Sequence, residues 1–183
     1  MTLAASARYV IGLWAVGGLV IGGCGQPTAT DWKRQPPGQA APDFTLPRLD
    51  AGQSVTLSTL RGRVVIMEFW ATWCGPCRFS TPSLDQIARR YKDQPVTVLL
   101  INEGEDAETV RKWIAGRFVA PVLLDQDVRV GRLYQVSGIP RLFIIDQDGT
   151  IAYVHAGYAG GLERNLKLIL QDMLPKAAGA PHG

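Results

Sequence analysis

The sequence predicts one mixed α/β domain with non-globular ends, and three observations carry that expectation. Strand-like and helix-like runs alternate over residues 41–175, the pattern of a sheet whose strands are joined by packed helices. The run Val64 to Trp70, VVIMEFW, is almost wholly apolar, as a central strand covered on both faces must be. Two further strand-like runs flank Asp146-Gln147-Asp148-Gly149, which reads as a hairpin and makes the sheet mixed rather than parallel throughout. With 183 residues, 46% of them hydrophobic, the chain can bury a core without covalent staples.

The elements follow in order. Residues 1–23 have the shape of an export signal: Arg8, an uncharged apolar run from Tyr9 to Ile21, then small residues. The run is short for a membrane span of about 20 residues. IGGC, Ile21 to Cys24, resembles the lipobox of bacterial lipoproteins, so Cys24 is the expected site of lipid attachment. An uncleaved membrane anchor and a soluble cleaved form are the alternatives. Residues 24–40, polar and rich in proline and glycine, read as a flexible tether. DFTLPRL and SVTLSTL, either side of Asp50-Ala51-Gly52, are short strands around a turn.

After the central strand, Leu84, Ile87, Ala88 and Tyr91 recur at helical spacing, and Pro82 should kink that helix. Pro95 to Ile101 is a second buried strand. A helix is expected over Glu105 to Phe118, with acids first and bases last as the dipole prefers, and with Val110, Ile114 and Phe118 on the sheet. Pro121 to Leu124 is a short strand and Val128 to Tyr134 a short helix. The hairpin follows, and then a helix burying Leu162, Leu166, Ile169, Leu170 and Met173. Residues 176–183 read as a disordered tail.

Charge narrows the function. The net charge of +3 comes from 19 basic and 16 acidic residues spread along the chain, with no basic stripe to neutralise phosphates, which argues against nucleic acid. Of three cysteines, Cys24 is accounted for by lipid, which leaves Cys74 and Cys77 as a pair. Disulfide chemistry is allowed outside the cytosol.

Cys74 falls at the expected start of a helix, where free backbone N–H groups and the dipole stabilise a thiolate. Pro76 suits the first turn. Cys77, one turn on, shares a side with Leu84 and Ala88 and should turn inward while Cys74 stays exposed. That asymmetry makes Cys74 the attacking sulfur and Cys77 the resolving one. A purely structural disulfide across so small a loop would add little stability. A zinc clip needs four ligands, and only the distant His155 and His182 accompany the thiols, so no metal or cofactor is expected. Glu68 interrupts the apolar strand six residues before Cys74. A carboxylate buried there is costly without a partner or a task; the alternative is a strand-end carboxylate that reaches solvent or a basic side chain.

FWATWCGPC, Phe69 to Cys77, carries the thioredoxin signature Trp-Cys-Gly-Pro-Cys. With APDFTLPRLD (Ala41 to Asp50), VTLSTLRGRVV (Val55 to Val65) and GIPRLFIIDQDGTI (Gly138 to Ile151), the chain resembles the TlpA/ResA-like family of membrane-anchored thioredoxins. The resemblance covers roughly residues 41 to 174. It implies a thioredoxin fold with an N-terminal β-hairpin extension and a central strand-helix insertion. It also implies thiol–disulfide exchange outside the cytoplasm, often in cytochrome c maturation.

Thioredoxins carry an aspartate at the place of Glu68, where their TlpA/ResA-like relatives commonly show asparagine. This implies proton transfer between Glu68 and Cys77, with desolvation raising the pKa of Glu68. Ile139-Pro140 matches the cis-proline loop, whose backbone offers a strand edge to an extended substrate. Arg141 stands where the family usually has threonine; favouring the thiolate, meeting acidic partners and lying idle on the surface all remain open. Trp73 is expected over the disulfide and against partners, with core packing as its alternative. Gly75 and Pro76 complete the expected substrate-binding set. Trp70 and Trp113 are assigned to packing, and His155 to a solvated or hydrogen-bonded position.

The resemblance thus implies a protein-disulfide reductase, monomeric, fed by a transmembrane thiol electron donor and acting on client proteins with disulfides, apocytochrome c among them. An oxidase or isomerase is the alternative within the same chemistry. A copper metallochaperone is the alternative outside it, although such proteins typically use C-x-x-x-C with a histidine. A peroxidase would want its threonine three residues before the cysteine, whereas Thr72 sits two before Cys74.

Overall fold

The computed structural model describes residues 32–50, 52–158 and 160–174. The expected export signal, Cys24, the first part of the expected tether and the tail from 175 lie outside the described residues. In chain order the elements are β1 (Lys33–Arg34), β2 (Thr45–Pro47), β3 (Ser54–Thr56), β4 (Val64–Trp70), α1 (Cys77–Arg90), β5 (Val96–Glu103), α2 (Ala107–Ile114), β6 (Val122–Asp125), α3 (Arg129–Leu133), β7 (Arg141–Ile145), β8 (Ile151–Ala156) and α4 (Leu162–Met173). Among the described residues no helix is long and apolar enough to cross a membrane.

Six strands form one sheet in the order β1-β8-β7-β4-β5-β6, and β2 and β3 pair as a separate antiparallel ribbon. β4 lies in the middle, parallel to β5 and antiparallel to β7. Every one of its seven residues is buried. Successive side chains point to opposite faces. Val64, Ile66 and Trp70 join a core with Leu84 and Ile87 of α1 and Leu162, Leu166 and Leu170 of α4. Val65, Met67 and Phe69 join a second core with Phe44, Leu46 and Leu57 from the N-terminal ribbon and Val130 and Tyr134 from the α3 region.

Three expectations about elements change. Residues Leu57–Leu60 form a 3-10 turn rather than the end of a strand. The Asp43 carboxylate accepts the Ser58 N–H at 2.8 Å and its own neighbour Phe44 N–H at 3.0 Å, which diverts the chain. The second helix is shorter than Glu105 to Phe118, because Asp106 caps its start by accepting from the Glu108 and Thr109 N–H groups. Ala115, in the left-handed region, ends it. Within the stretch expected to be a tether over 24–40, Lys33 and Arg34 join the sheet at its edge, opposite Val154 and Tyr153. His155 is buried, which leaves the hydrogen-bonded of its two expected settings, and its ring stacks on Trp32 at 4.7 Å.

The middle of α1 is pinned by Asp85. One Asp85 oxygen accepts the Val119 and Ala120 N–H groups at 2.7 and 2.9 Å, and the other accepts from Arg89 at 2.8 Å. Asp85→Ala would leave the buried Ala120 N–H unsatisfied, so thermal denaturation should show a loss of about 2 kcal/mol, roughly 5 °C.

Candidate active site

β4 ends at Trp70 and α1 begins at Cys77, and the redox signature fills the end of the six-residue loop between them and the first residue of the helix. Cys74 and Cys77 form a disulfide, with sulfurs 2.00 Å and α-carbons 5.3 Å apart. The Cys74 N–H donates to the Ala71 carbonyl at 3.2 Å, so the loop folds back on itself. The Cys77 N–H points at the Cys74 sulfur, 3.2 Å away. Pro76, with helical dihedrals, is the cap residue of α1 and its carbonyl accepts the Ser80 N–H, while Cys74 lies in the turn before the helix. The dipole argument therefore takes a local form: the first N–H of α1 is aimed at the Cys74 sulfur. Cys74, expected to stay exposed, is 4% accessible against 0% for Cys77 in the oxidised pair. Gly75 and Pro76 are exposed beside it, and Trp73 is 71% exposed, which rules out the core reading of that side chain.

Glu68 is fully buried in the middle of β4 and faces α1. Its Oε2 accepts from the Thr81 hydroxyl at 2.9 Å, one turn along the helix from Cys77. Its Oε1 has no hydrogen-bond partner among the described residues. Burial pushes its pKa from the usual 4.5 up to about 7, while the Ser80 and Thr81 hydroxyls beside it pull the other way. The alternative of a strand-end carboxylate that reaches solvent or a basic side chain does not fit this burial.

The Ile139–Pro140 bond is cis, as the resemblance implies. Arg141 pairs with Phe69 across the antiparallel β4/β7 ladder, so the residue before it lies beside Trp70, at the end of β4 that leads to Cys74. Pro140 is buried, and its carbonyl accepts the Gly157 N–H at 2.8 Å. Arg141 points to the opposite face of the sheet from α1, with its guanidinium 5.9 Å from the Phe143 ring. There it borders a hollow of about 360 Å³ with Lys33, Gln39 and Tyr134. The option that it favours the Cys74 thiolate loses support from that placement.

Two features escaped the sequence reading. Phe79, two residues past Cys77, is exposed and stacks on exposed Tyr158 with centroids 5.6 Å apart. Tyr158 follows the Gly157 whose N–H bonds the Pro140 carbonyl, which places the pair on the same side as the cis-proline loop. The sequence signal was a phenylalanine between Arg78 and Ser80, off the apolar face of the helix. The second feature is Glu105, expected in the first turn of a helix but located before it. Its carboxylate accepts from the Thr72 N–H at 2.7 Å, from the Thr72 hydroxyl, and from the Asn102 amide at 2.7 Å. Trp70 and Trp113 pack together at 4.9 Å, as assigned.

Comparison with known proteins agrees with this geometry. The model of the AhpC/TSA family matches residues 37–154. A thiol-disulfide oxidoreductase ResA of Geobacillus kaustophilus is 36% identical over 136 residues, which cover 72% of this chain and 77% of that protein. Among solved structures, an exposed lipoprotein thioredoxin of Streptococcus pneumoniae is 30% identical, with a TM-score of 0.62, and the match covers 72% of this chain and 99% of that one. A thiol:disulfide interchange protein of the thioredoxin family from Chlorobium tepidum is 27% identical with a TM-score of 0.63, covering 72% and 96%. With well over half of its length under the family model and 77% of a thiol-disulfide oxidoreductase covered at 36% identity, the chain belongs to the AhpC/TSA family, among its ResA-like thiol-disulfide oxidoreductases of thioredoxin fold.

Proposed function

We propose that this chain is an extracytoplasmic protein-disulfide reductase, held at the membrane through lipid on Cys24 and re-reduced by a transmembrane thiol donor. One observation carries the reading: the Cys74 sulfur rests on the first N–H of α1 while its partner lies fully buried on the same helix whose Thr81, one turn on, binds the Glu68 carboxyl, pushed by burial up to about 7. Reduced Cys74, as thiolate, attacks one sulfur of a client disulfide. The client S–S bond breaks, and its other sulfur leaves and takes up a proton. Cys77 then gives its proton to Glu68 and attacks Cys74 in the mixed disulfide. The client's second sulfur leaves as a thiolate, and two electrons have passed from the dithiol to the client.

Trp73, Gly75, Pro76 and Ile139 surround the reacting sulfurs and form the proposed contact surface for an extended client segment, with Phe79 and Tyr158 beyond them. The lipobox-like IGGC and the solved lipoprotein thioredoxin of similar sequence support the membrane location. Apocytochrome c is the proposed client. The peroxidase alternative gains nothing from Thr72, whose hydroxyl is bound to Glu105 rather than facing the sulfur.

Two measurements test this. Titration of the couple against glutathione should give a potential far below that of a strong oxidant; a value near about −120 mV would contradict a reductase. Cys77→Ala should trap clients as mixed disulfides. Capture of apocytochrome c sustains the maturation role, and capture of unrelated secreted proteins alone removes it.

A further inference from the structure

A single carboxylate gathers three donors around the loop that carries Cys74. Glu105 accepts the Thr72 N–H and the Asn102 side-chain amide on one oxygen and the Thr72 hydroxyl on the other. A carboxylate only accepts, so it can satisfy all three at once, and hydrogen bonds to a charged acceptor are the stronger kind. Asn102 is fully buried at the end of β5, directly opposite Trp70 in the β4/β5 ladder. The arrangement therefore ties the loop after β4 to the neighbouring strand, at the point where the chain leaves for α2. Thr72 lies inside the turn closed by the Cys74 N–H on the Ala71 carbonyl. Fixing Thr72 fixes the Cys74 sulfur against the Cys77 N–H, the contact that would stabilise a thiolate once the disulfide is reduced.

We propose that Glu105 is a positioning residue for thiol–disulfide exchange: by clamping Thr72 it keeps the Cys74 sulfur on the Cys77 N–H, and it joins the reactive loop to the strand-helix insertion. The proposal rests on the reading of the cysteine pair as the reacting group. Glu105 contacts neither sulfur and acts through Thr72.

Glu105→Gln and Glu105→Ala separate the clamp from the charge. Glutamine offers one oxygen to the Thr72 N–H and the Asn102 amide, and its NH₂ can donate to the Thr72 hydroxyl turned acceptor. Alanine loses all three contacts. Neither carries the charge, so the difference between the two variants is the clamp alone. The readouts are the rate of iodoacetamide alkylation of reduced Cys74, mapped by mass spectrometry, and the equilibrium constant of the couple with glutathione.

E105Q should alkylate within about threefold of the unsubstituted chain, and E105A about tenfold more slowly than E105Q, with the glutathione equilibrium moved about tenfold toward the disulfide. Thr72→Val removes only the hydroxyl contact and should slow alkylation about twofold to threefold, which serves if E105A does not fold. E105A matching E105Q in both readouts, even with a lower melting temperature, would overturn the proposal, as would an unslowed T72V. Both readouts are independent of client reduction. A chain that fails to reduce insulin would sink the function proposed above and leave this comparison intact.

Discussion

Replacing Cys74 with serine should lower insulin disulfide reduction roughly a thousandfold or more, because the thiolate is the nucleophile and a hydroxyl cannot exchange with a disulfide. Cys77→Ser should behave differently. The first attack survives, the mixed disulfide accumulates, and turnover stops after one event per molecule. Neither effect is a consequence of unfolding. Four residues span the bridge, and loop entropy for so short a span contributes only about 2 kcal/mol. Circular dichroism of both variants should therefore stay native. A C74S protein that keeps a tenth of the activity would assign the chemistry elsewhere.

The second large effect belongs to Glu68. Its folded-state pKa of about 7 lies above the usual 4.5 because burial penalises the charged form. Between those pH values the folded protein holds a proton that the unfolded chain has lost. The stabilisation is fully present below about pH 4.5, is lost as pH rises toward 7, and is flat above that, a change of roughly 3 kcal/mol. Glu103, half-buried near Asp125, is also pushed up to about 7 and slopes the same way. The difference between the parent and Glu68→Leu curves, measured on the oxidised protein so that neither cysteine titrates, isolates the Glu68 share. Glu68→Leu should be more stable than the parent at pH 8 and should lose the Glu68 share of the slope between about pH 4.5 and 7, keeping only the Glu103 share. Glu68→Gln, which can still meet Thr81, should slow resolution of the mixed disulfide about a hundredfold and remove the limb near pH 7 from the rate profile. An unchanged profile would return Glu68 to a packing role.

Local pattern made part of this molecule legible. VVIMEFW reads as a doubly covered strand, and β4 runs from Val64 to Trp70 with every residue buried. Leu84 and Ile87 declare a helix face, and Asp146 to Gly149 joins β7 to β8. These features are written in spacings of a few residues. The edge strand at Lys33–Arg34 is not, because its two polar residues carry no period and the stacking of Trp32 on His155 spans most of the chain. Glu105 looked like a helix-dipole residue for the same reason: its acidic neighbours fit that pattern, while its true partners are Thr72, on the loop after β4, and Asn102. The burial of Cys74 was missed because helix-face reasoning stops at the helix, and Cys74 belongs to the turn before it. The two sulfurs and Glu68 could be named from the sequence, whereas the contacts that hold them depend on which strands become neighbours.

The account depends on one sulfur being activated by the start of α1 while the other is shielded. Limited iodoacetamide labelling of the reduced protein near pH 7, with the label assigned by peptide mapping, measures this directly. The prediction is label almost entirely on Cys74, at a rate about tenfold or more above that of the same cysteine in an unfolded peptide. Equal labelling of Cys74 and Cys77, or a Cys74 rate no higher than that of the peptide, would contradict it.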